Sequence, residues 1–214
     1  MLRDDRGLSV TELLVVAILL SIILGAAWSV MYAVNALTGS LAARAVATDE
    51  SQVFLDNIGR ELREADSLKS FAATDTTGAG AFSEISTRQA TFYVDILHDG
   101  HPHKIQYIPV TAGGTTSLYR YEWTSTTNVW SFPWTTNPIK STVVIKKIDP
   151  AWTGPIFTYY TNDNLPPTQI TDVSKVASVT AVMVQVKNVQ PWGNKTVSYG
   201  ASTTVRVRAI QGKF

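Results

Sequence analysis

Gly7-Leu8-Ser9-Val10-Thr11-Glu12-Leu13-Leu14-Val15-Val16-Ala17-Ile18-Leu19-Leu20 opens a stretch that carries no charge from Leu13 to Ala43. Read as a helix, Leu13 to Leu37 alone is about 37 Å long at 1.5 Å per residue. A hydrocarbon core is about 30 Å thick, so the segment is long enough to span a bilayer with some tilt. The flanks do not orient it. Arg3 and Arg6 precede the run together with Asp4 and Asp5, and Arg44, Arg60 and Arg63 follow it, so the excess of basic residues that marks a cytoplasmic side is absent.

Glu12 is the residue that separates the possible readings. Ser9-x-x-Glu12 has the spacing of a capping box, in which the serine oxygen and the glutamate each satisfy a backbone N–H left open at a helix start. A carboxylate at the edge of an apolar span also costs about 2.5–3.5 kcal/mol if it is drawn to the bilayer centre, so a cationic partner is expected.

A glycine, four mostly apolar residues, a glutamate and a long apolar helix together resemble the N-terminal signature of type IV prepilins. The resemblance covers residues 6–37. It implies that a prepilin peptidase cuts between Gly7 and Leu8 and methylates the Leu8 amine, and that Glu12 pairs with the methylated amine of a neighbouring subunit during assembly. The chain departs from the common pattern at Leu8, where phenylalanine or methionine is more usual, and at Ser29, where many major pilins carry a helix-kinking proline. The second departure points to a minor subunit or a pseudopilin. Gly25 offers another soft point, because glycine costs about 1 kcal/mol in a helix relative to alanine.

Two other readings fit parts of the segment. A secretory signal has a basic start, an apolar stretch of about 7–15 residues and small residues before the cut, which Val34-Asn35-Ala36 would supply. The uncharged run here is longer, and Glu12 is out of place at its start. A plain signal anchor needs no particular register of Gly7, Leu8 and Glu12.

Beyond the anchor roughly 170 residues remain, enough for one domain with a substantial core. The formal net charge is +1 and charged residues make up 16% of the chain, so no global field favours nucleic acid, and any DNA contact has to be local. There is no cysteine, which excludes disulfides, thiol chemistry and cysteine-ligated zinc.

From Leu41 to about Ser70 the helix is expected to continue and become amphipathic. Leu55, Ile58, Leu62, Ala65 and Leu68 recur at spacings of three and four and form one apolar stripe. Asp56, Arg60 and Glu64 lie off the stripe at i,i+4 spacing, a weak support for the helix. Strands are expected to cover the stripe. Val182, Val184 and Val186 alternate with Met183, Gln185 and Lys187, and Val205, Val207 and Ala209 alternate with Thr204, Arg206 and Arg208, the pattern of half-buried antiparallel strands. Thr91–Leu97, Lys104–Ile108, Leu118–Tyr121, Thr142–Ile148 and Ile156–Tyr160 are further candidates. Residues 72–89, rich in Ala, Thr, Ser and Gly, read as a loop.

Several of these segments also resemble one branch of the prepilin family, the PilW-like minor pilins and the J-like pseudopilins of type II secretion. They are Arg60-Glu61-Leu62-Arg63-Glu64-Ala65, Ile105-Gln106-Tyr107, Leu118-Tyr119-Arg120, Phe157-Thr158-Tyr159-Tyr160 and Val205-Arg206-Val207-Arg208. The branch implies a role with other minor pilins in a tip complex that primes a filament.

Other motifs carry less. His98, His101 and His103 with Asp99 invite a metal reading, but Asp99-Gly100 between two strand-like runs is also a hairpin turn. Asn162-Asp163-Asn164 has oxygen ligands of the type calcium takes, yet lacks the spaced carboxylates of an EF-hand and suits a turn. No metal site and no cofactor is therefore assigned. Trp123, Trp130, Trp134 and Trp152 are either packing residues or a contact surface for a subunit, a sugar or a base. Lys140, Lys146 and Lys147, or Arg206 with Arg208, are either a solvated face or a basic patch for phosphates. Asn194-Lys195-Thr196 matches a glycosylation acceptor, a short and common pattern. The chain has no Gly-rich phosphate loop, no His-Glu-x-x-His and no Gly-x-Ser-x-Gly, so no catalytic residue is assigned and no enzyme is expected.

The sequence thus reads as an α+β, pilin-like chain: a leader at 1–7, a membrane and polymerisation helix at 8–40, and an exported domain at 41–214 with its helix packed on an antiparallel sheet. The expected localisation is the cytoplasmic (inner) membrane, with the C-terminal domain outside it. The expected partners are other pilin or pseudopilin subunits, the prepilin peptidase and the lipid bilayer; nucleic acid finds no support in the net charge. The rival reading is an exported binding module, contacting carbohydrate or DNA, that joins no filament.

Overall fold

The structure, a computed structural model, describes residues 9–65, 81–95, 103–124, 135–161, 168–170 and 179–207. The chain divides into two compact units, Met1–Ala43 and Arg44–Phe214, and one unbroken helix, α1 (Val10–Glu64), contributes to both. Helix α1 passes through Gly25 and Ser29 without interruption. It ends at Glu64, before the expected Ser70, and Ala65 forms an antiparallel bridge with Val94. Leu68, the last member of the expected stripe, lies outside the described residues.

The second unit is α+β. Its helical part buries Ala47, Ser51, Phe54, Ile58 and Leu62 at steps of three and four, with Glu61 beside Leu62 on the same face. Two antiparallel sheets meet this face. The first is a meander of β1 (Phe82–Ile85), β2 (Ala90–Val94), β3 (His103–Ala112), β4 (Thr115–Thr124) and β5 (Lys140–Ile145), each strand beside the next. The second contains β6 (Phe157–Thr161), β7 (Thr168–Ile170), β8 (Ala181–Trp192) and β9 (Lys195–Arg206) in the order β7-β6-β8-β9.

Six of the seven expected strand segments fall within or overlap β2 to β6 and β8, and the Val205 alternation marks the end of the much longer β9. Val182, Val184 and Val186 on β8 and Val205 and Val207 at the end of β9 point inward, as their alternation requires. Strand β1 lies where the Ala- and Thr-rich composition suggested a loop. Its Phe82 and Ile85 are buried and its register with β2 shifts between Phe82 and Glu84, an irregularity that removes clean alternation from the sequence. The short β7 gives too few residues to form a pattern.

Two long hairpins give the sheets their reach. Strands β3 and β4 turn at Gly113 and Gly114, with φ of 56° and 75°, a left-handed pair that a two-residue turn of this hand needs. Strands β8 and β9 turn at Gly193-Asn194, with Gly193 at φ 56°. The Asn194-Lys195-Thr196 motif therefore sits at an exposed turn.

The segment after β5 ties the sheets together. Ile148 N–H donates to Thr116 O in the first sheet, while Asp149 N–H donates to Lys187 O and Val189 N–H to Lys147 O in the second. One core results. Phe54 of α1 packs edge-on against Tyr107 of β3 at 5.9 Å, Tyr107 stacks with Phe92 of β2, and Phe82 of β1 meets Tyr159 of β6 at 5.6 Å. Phe54, only 2% exposed, is the helix residue at the centre of this aromatic cluster. Phe54→Ala is expected to destabilise the second unit by about 3–5 kcal/mol, read from chemical denaturation of the detergent-solubilised chain.

Candidate functional site

The start of α1 is built as the sequence demands. Glu12 N–H donates to Ser9 Oγ at 3.2 Å and Ser9 N–H donates to Glu12 Oε2 at 2.9 Å, the reciprocal pair of a capping box. Ser9 Oγ lies a further 3.1 Å from the same carboxylate oxygen. Gly7 and Leu8, the expected processing residues, lie outside the described residues.

Behind this cap the apolar side chains of the run stand exposed among the described residues. Every large apolar side chain from Val10 to Leu41 recorded as exposed is at least 51% so, and Trp28 and Tyr32 reach 73%. The helix is long and apolar enough to cross a membrane, with none of its most apolar window buried. Its serine and threonine hydroxyls beyond the cap return to the helix backbone: Ser21 donates to Ile18 O, Ser29 to Ala26 O, Thr38 to Val34 O and Ser40 to Leu37 O, at 2.7–2.9 Å. A side chain that returns its hydroxyl to its own helix exposes no unmet donor to hydrocarbon, which is what an apolar solvent requires.

The later part of α1 is held by two polar clamps that the sequence pattern did not single out. In the first, Glu50 accepts from the Lys146 backbone N–H at 2.8 Å, from Asn188 Nδ2 at 3.2 Å and from Gln190 Nε2 at 3.1 Å. Asn188 Nδ2 also donates to Ala47 O at 3.0 Å. In the second, about three turns along, Glu61 accepts from Tyr107 Oη at 2.7 Å and from Arg120 Nε at 2.9 Å. Arg120 Nη1 donates to Glu122 at 2.7 Å. The other Glu122 oxygen lies 2.9 Å from His103 Nδ1, close enough for an ion pair but out of line for a hydrogen bond.

Burial and charge compete in the second clamp. Burial raises the Glu61 carboxyl above the usual range, and the Arg120 charge and the Tyr107 hydrogen bond offset only part of that. Burial also works to raise Glu122, but the Arg120 hydrogen bond and charge outweigh it and hold that carboxyl low. Burial disfavours the Arg120 charge, whereas Glu61 and Glu122 beside it raise the guanidinium further. Burial and the neighbouring Glu61 push the Tyr107 phenol well up, so it remains a donor. The signal for this cluster lay in Glu61 falling on the buried face of an amphipathic helix, where a carboxylate needs a partner.

The remaining sequence candidates are scattered. Among the described residues no group of three or more His, Asp or Glu side chains is placed to hold a metal. His103 belongs to the Glu122 pair, and His98, His101 and Asn162 to Asn164 lie outside the described residues. Trp123 continues a row with Tyr121 and Tyr119, and Lys104 Nζ sits 5.5 Å above its ring. Trp152 packs partly against the core, and Trp130 and Trp134 lie outside the described residues. Lys140 is exposed on β5 of the first sheet and Arg206 on β9 of the second. Lys146 is exposed and Lys147 half-buried just beyond β5, and Arg208 lies outside the described residues.

No family model, no curated protein and no solved structure matches this chain.

Arg120→Met leaves Glu61 in the interior without a counter-charge and Glu122 with His103 alone. It is expected to cost about 3–5 kcal/mol at pH 7. Glu61, already raised by burial, then titrates higher still, so the variant regains stability as pH falls. Glu122 of the parent, held low, loses its contribution over the same acid range. The gap between parent and variant should therefore narrow from pH 7 to pH 4 in thermal unfolding.

Proposed function

We propose that the chain is a minor pilin or pseudopilin, a pilin-like structural subunit of a type IV pilus or type II secretion-like filament acting in the initiating tip complex. The observation that carries this reading is the register at the start of α1. Glu12 caps the N–H of Ser9, the residue after Leu8. Cleavage between Gly7 and Leu8 would place a new ammonium one residue from the group that Glu12 already engages. The carboxylate thus stands near the position where a positive charge would be created, on its own chain or on a neighbour packed alongside.

Two features support the reading. The uncovered apolar length of α1 suits both a bilayer and the crowded helix interior of a filament, since each removes apolar surface from water at about 25 cal/mol per Å². The internally returned hydroxyls suit both environments as well. In this scheme the subunit waits in the cytoplasmic membrane with its C-terminal unit exported. A prepilin peptidase removes residues 1–7, and other pilin or pseudopilin subunits then take over the helix from lipid. The fold and the polar clamps serve as structure, and no chemistry is assigned to the chain.

The mature N-terminus decides the matter. Mass spectrometry of protein from membranes that contain the peptidase should find N-methyl-Leu8. A start near Leu37 would identify a secreted domain, and an intact Met1 a simple anchor; either would overturn the reading in favour of an exported binding module. Glu12→Ala should be cleaved and inserted normally but be lost from sheared filaments, and wild-type incorporation would remove Glu12 from the assembly contact.

A further inference from the structure

A shallow groove of about 260 Å³ lies on the second sheet, between the Trp152 indole and the outer side of β8 and β9. Gln185, Lys187, Gly200 and Ser202 line it with Trp152. The strand register explains the set: Gln185 stands opposite Ser202 and Lys187 opposite Gly200, so these alternate positions share the outer side of the sheet.

The loop after Ile148 holds the indole in place. Trp152 N–H donates to Asp149 O at 3.0 Å, and Asp149 in turn accepts from Ala151 N–H and Ser198 Oγ and pairs with Lys187 Nζ at 3.0 Å. Gly154 lies against the indole so closely that a Cβ there would overlap Nε1. The indole is therefore packed against Gly154, and its loop is tied to β8 by the Asp149–Lys187 pair.

Gly200 is the second pointer. It sits in the middle of a long strand, where glycine costs stability and contributes no packing. Its fold does not require it: it has no positive φ, and a Cβ would meet nothing closer than 3.9 Å. A strand glycine with no conformational or steric reason suits an open floor that another molecule approaches closely.

The chemistry of the groove selects the ligand. The one cation, Lys187, is matched by Asp149, so the site is locally neutral and unsuited to phosphate or carboxylate. The Gln185 side-chain amide and the Ser202 hydroxyl, both lining the groove, make no hydrogen bond to another described residue. None of the strongly exposed large apolar residues lies on β8 or β9, so Trp152 stands without a surrounding apolar patch. A rigid aromatic wall with uncharged donors and acceptors and a bare backbone floor suits a ring that has an apolar C–H face and equatorial hydroxyls.

We propose that this groove is a binding subsite for a neutral pyranose sugar at the end of a glycan, with the ring against Trp152 and over Gly200 and its hydroxyls bonded by Gln185 and Ser202. The site is independent of the Gly7, Leu8 and Glu12 segment, so it stands or falls apart from the filament reading.

The test uses the full-length chain in a detergent without a sugar headgroup, applied to an array of immobilised neutral, N-acetylated and acidic glycans, with the hits titrated. The chain should bind at least one uncharged pyranose glycan. Gly200→Val fills the floor and should weaken binding by about tenfold or more, the equivalent of about one hydrogen bond and the lost close approach. The same substitution should leave the thermal midpoint unchanged or higher, because valine is favoured in strands. Gln185→Ala combined with Ser202→Ala should weaken binding with no change in fold. Binding to acidic glycans alone, no binding to any glycan, or undiminished binding by Gly200→Val would overturn the proposal. If glycans never bind and Gly200→Val is instead excluded from filaments, the groove receives a protein partner and the sugar assignment fails.

Discussion

Helix α1 has to meet two solvents, and its residue pattern changes where the demand changes. Up to Ala43 the run has no charge after Glu12, and its large apolar side chains are exposed among the described residues. From Arg44 onward one face is buried and the others carry charge. A helix of this length gains little from propensity alone, and its stability in each half comes from what covers it. The second half is covered by the chain's own sheets. The first is long and apolar enough to cross a membrane, and among the described residues its large apolar side chains stand exposed.

Buried polar contacts, rather than apolar ones alone, fix how the second half of α1 meets the sheets. An apolar stripe on an apolar sheet tolerates a shift of one helical turn, since Phe54, Ile58 and Leu62 repeat at similar spacing. Glu50 and Glu61 do not tolerate it. Each reaches groups with a fixed direction: Asn188, Gln190 and the Lys146 N–H for one, Tyr107 and Arg120 for the other. A one-turn slip would leave a carboxylate in the interior without donors, at a cost of several kcal/mol. Buried ion pairs contribute little net stability, and their best-attested use is this choice of register.

Much of this was legible in the sequence, and the reasons are physical. The uncharged run, the capping box and the valine alternations of β8 and late β9 are patterns of period one, three to four and two, which the chain states directly. Gly113-Gly114 and Gly193-Asn194 were equally direct turn signals that a reading centred on hydrophobic periodicity passes over. The separation into two sheets was not legible. It depends on which strands pair and on the backbone bonds of Ile148 and Asp149, and those are contacts between distant residues rather than properties of a local window. Strand β1 stayed hidden because its irregular register breaks the alternation that marks a strand.

The clamp residues were hidden for a related reason. Glu61 appears in the sequence as one more charge in Arg60-Glu61-Leu62-Arg63-Glu64, and nothing local says that it alone of those charges is fully turned inward. Its burial follows from the stripe: Ile58 and Leu62 define the inward face, and Glu61 lies three residues from one and beside the other. A carboxylate on that face requires donors, and the sheet carries them where the cross-strand pairing of Tyr107 with Arg120 puts a phenol and a guanidinium side by side. Tyr107 also packs against Phe54 and Phe92 and Arg120 also pairs with Glu122, but Glu61 has no other donors to justify its burial. The helix and the first sheet therefore specify each other through this contact, and the apolar packing around it follows.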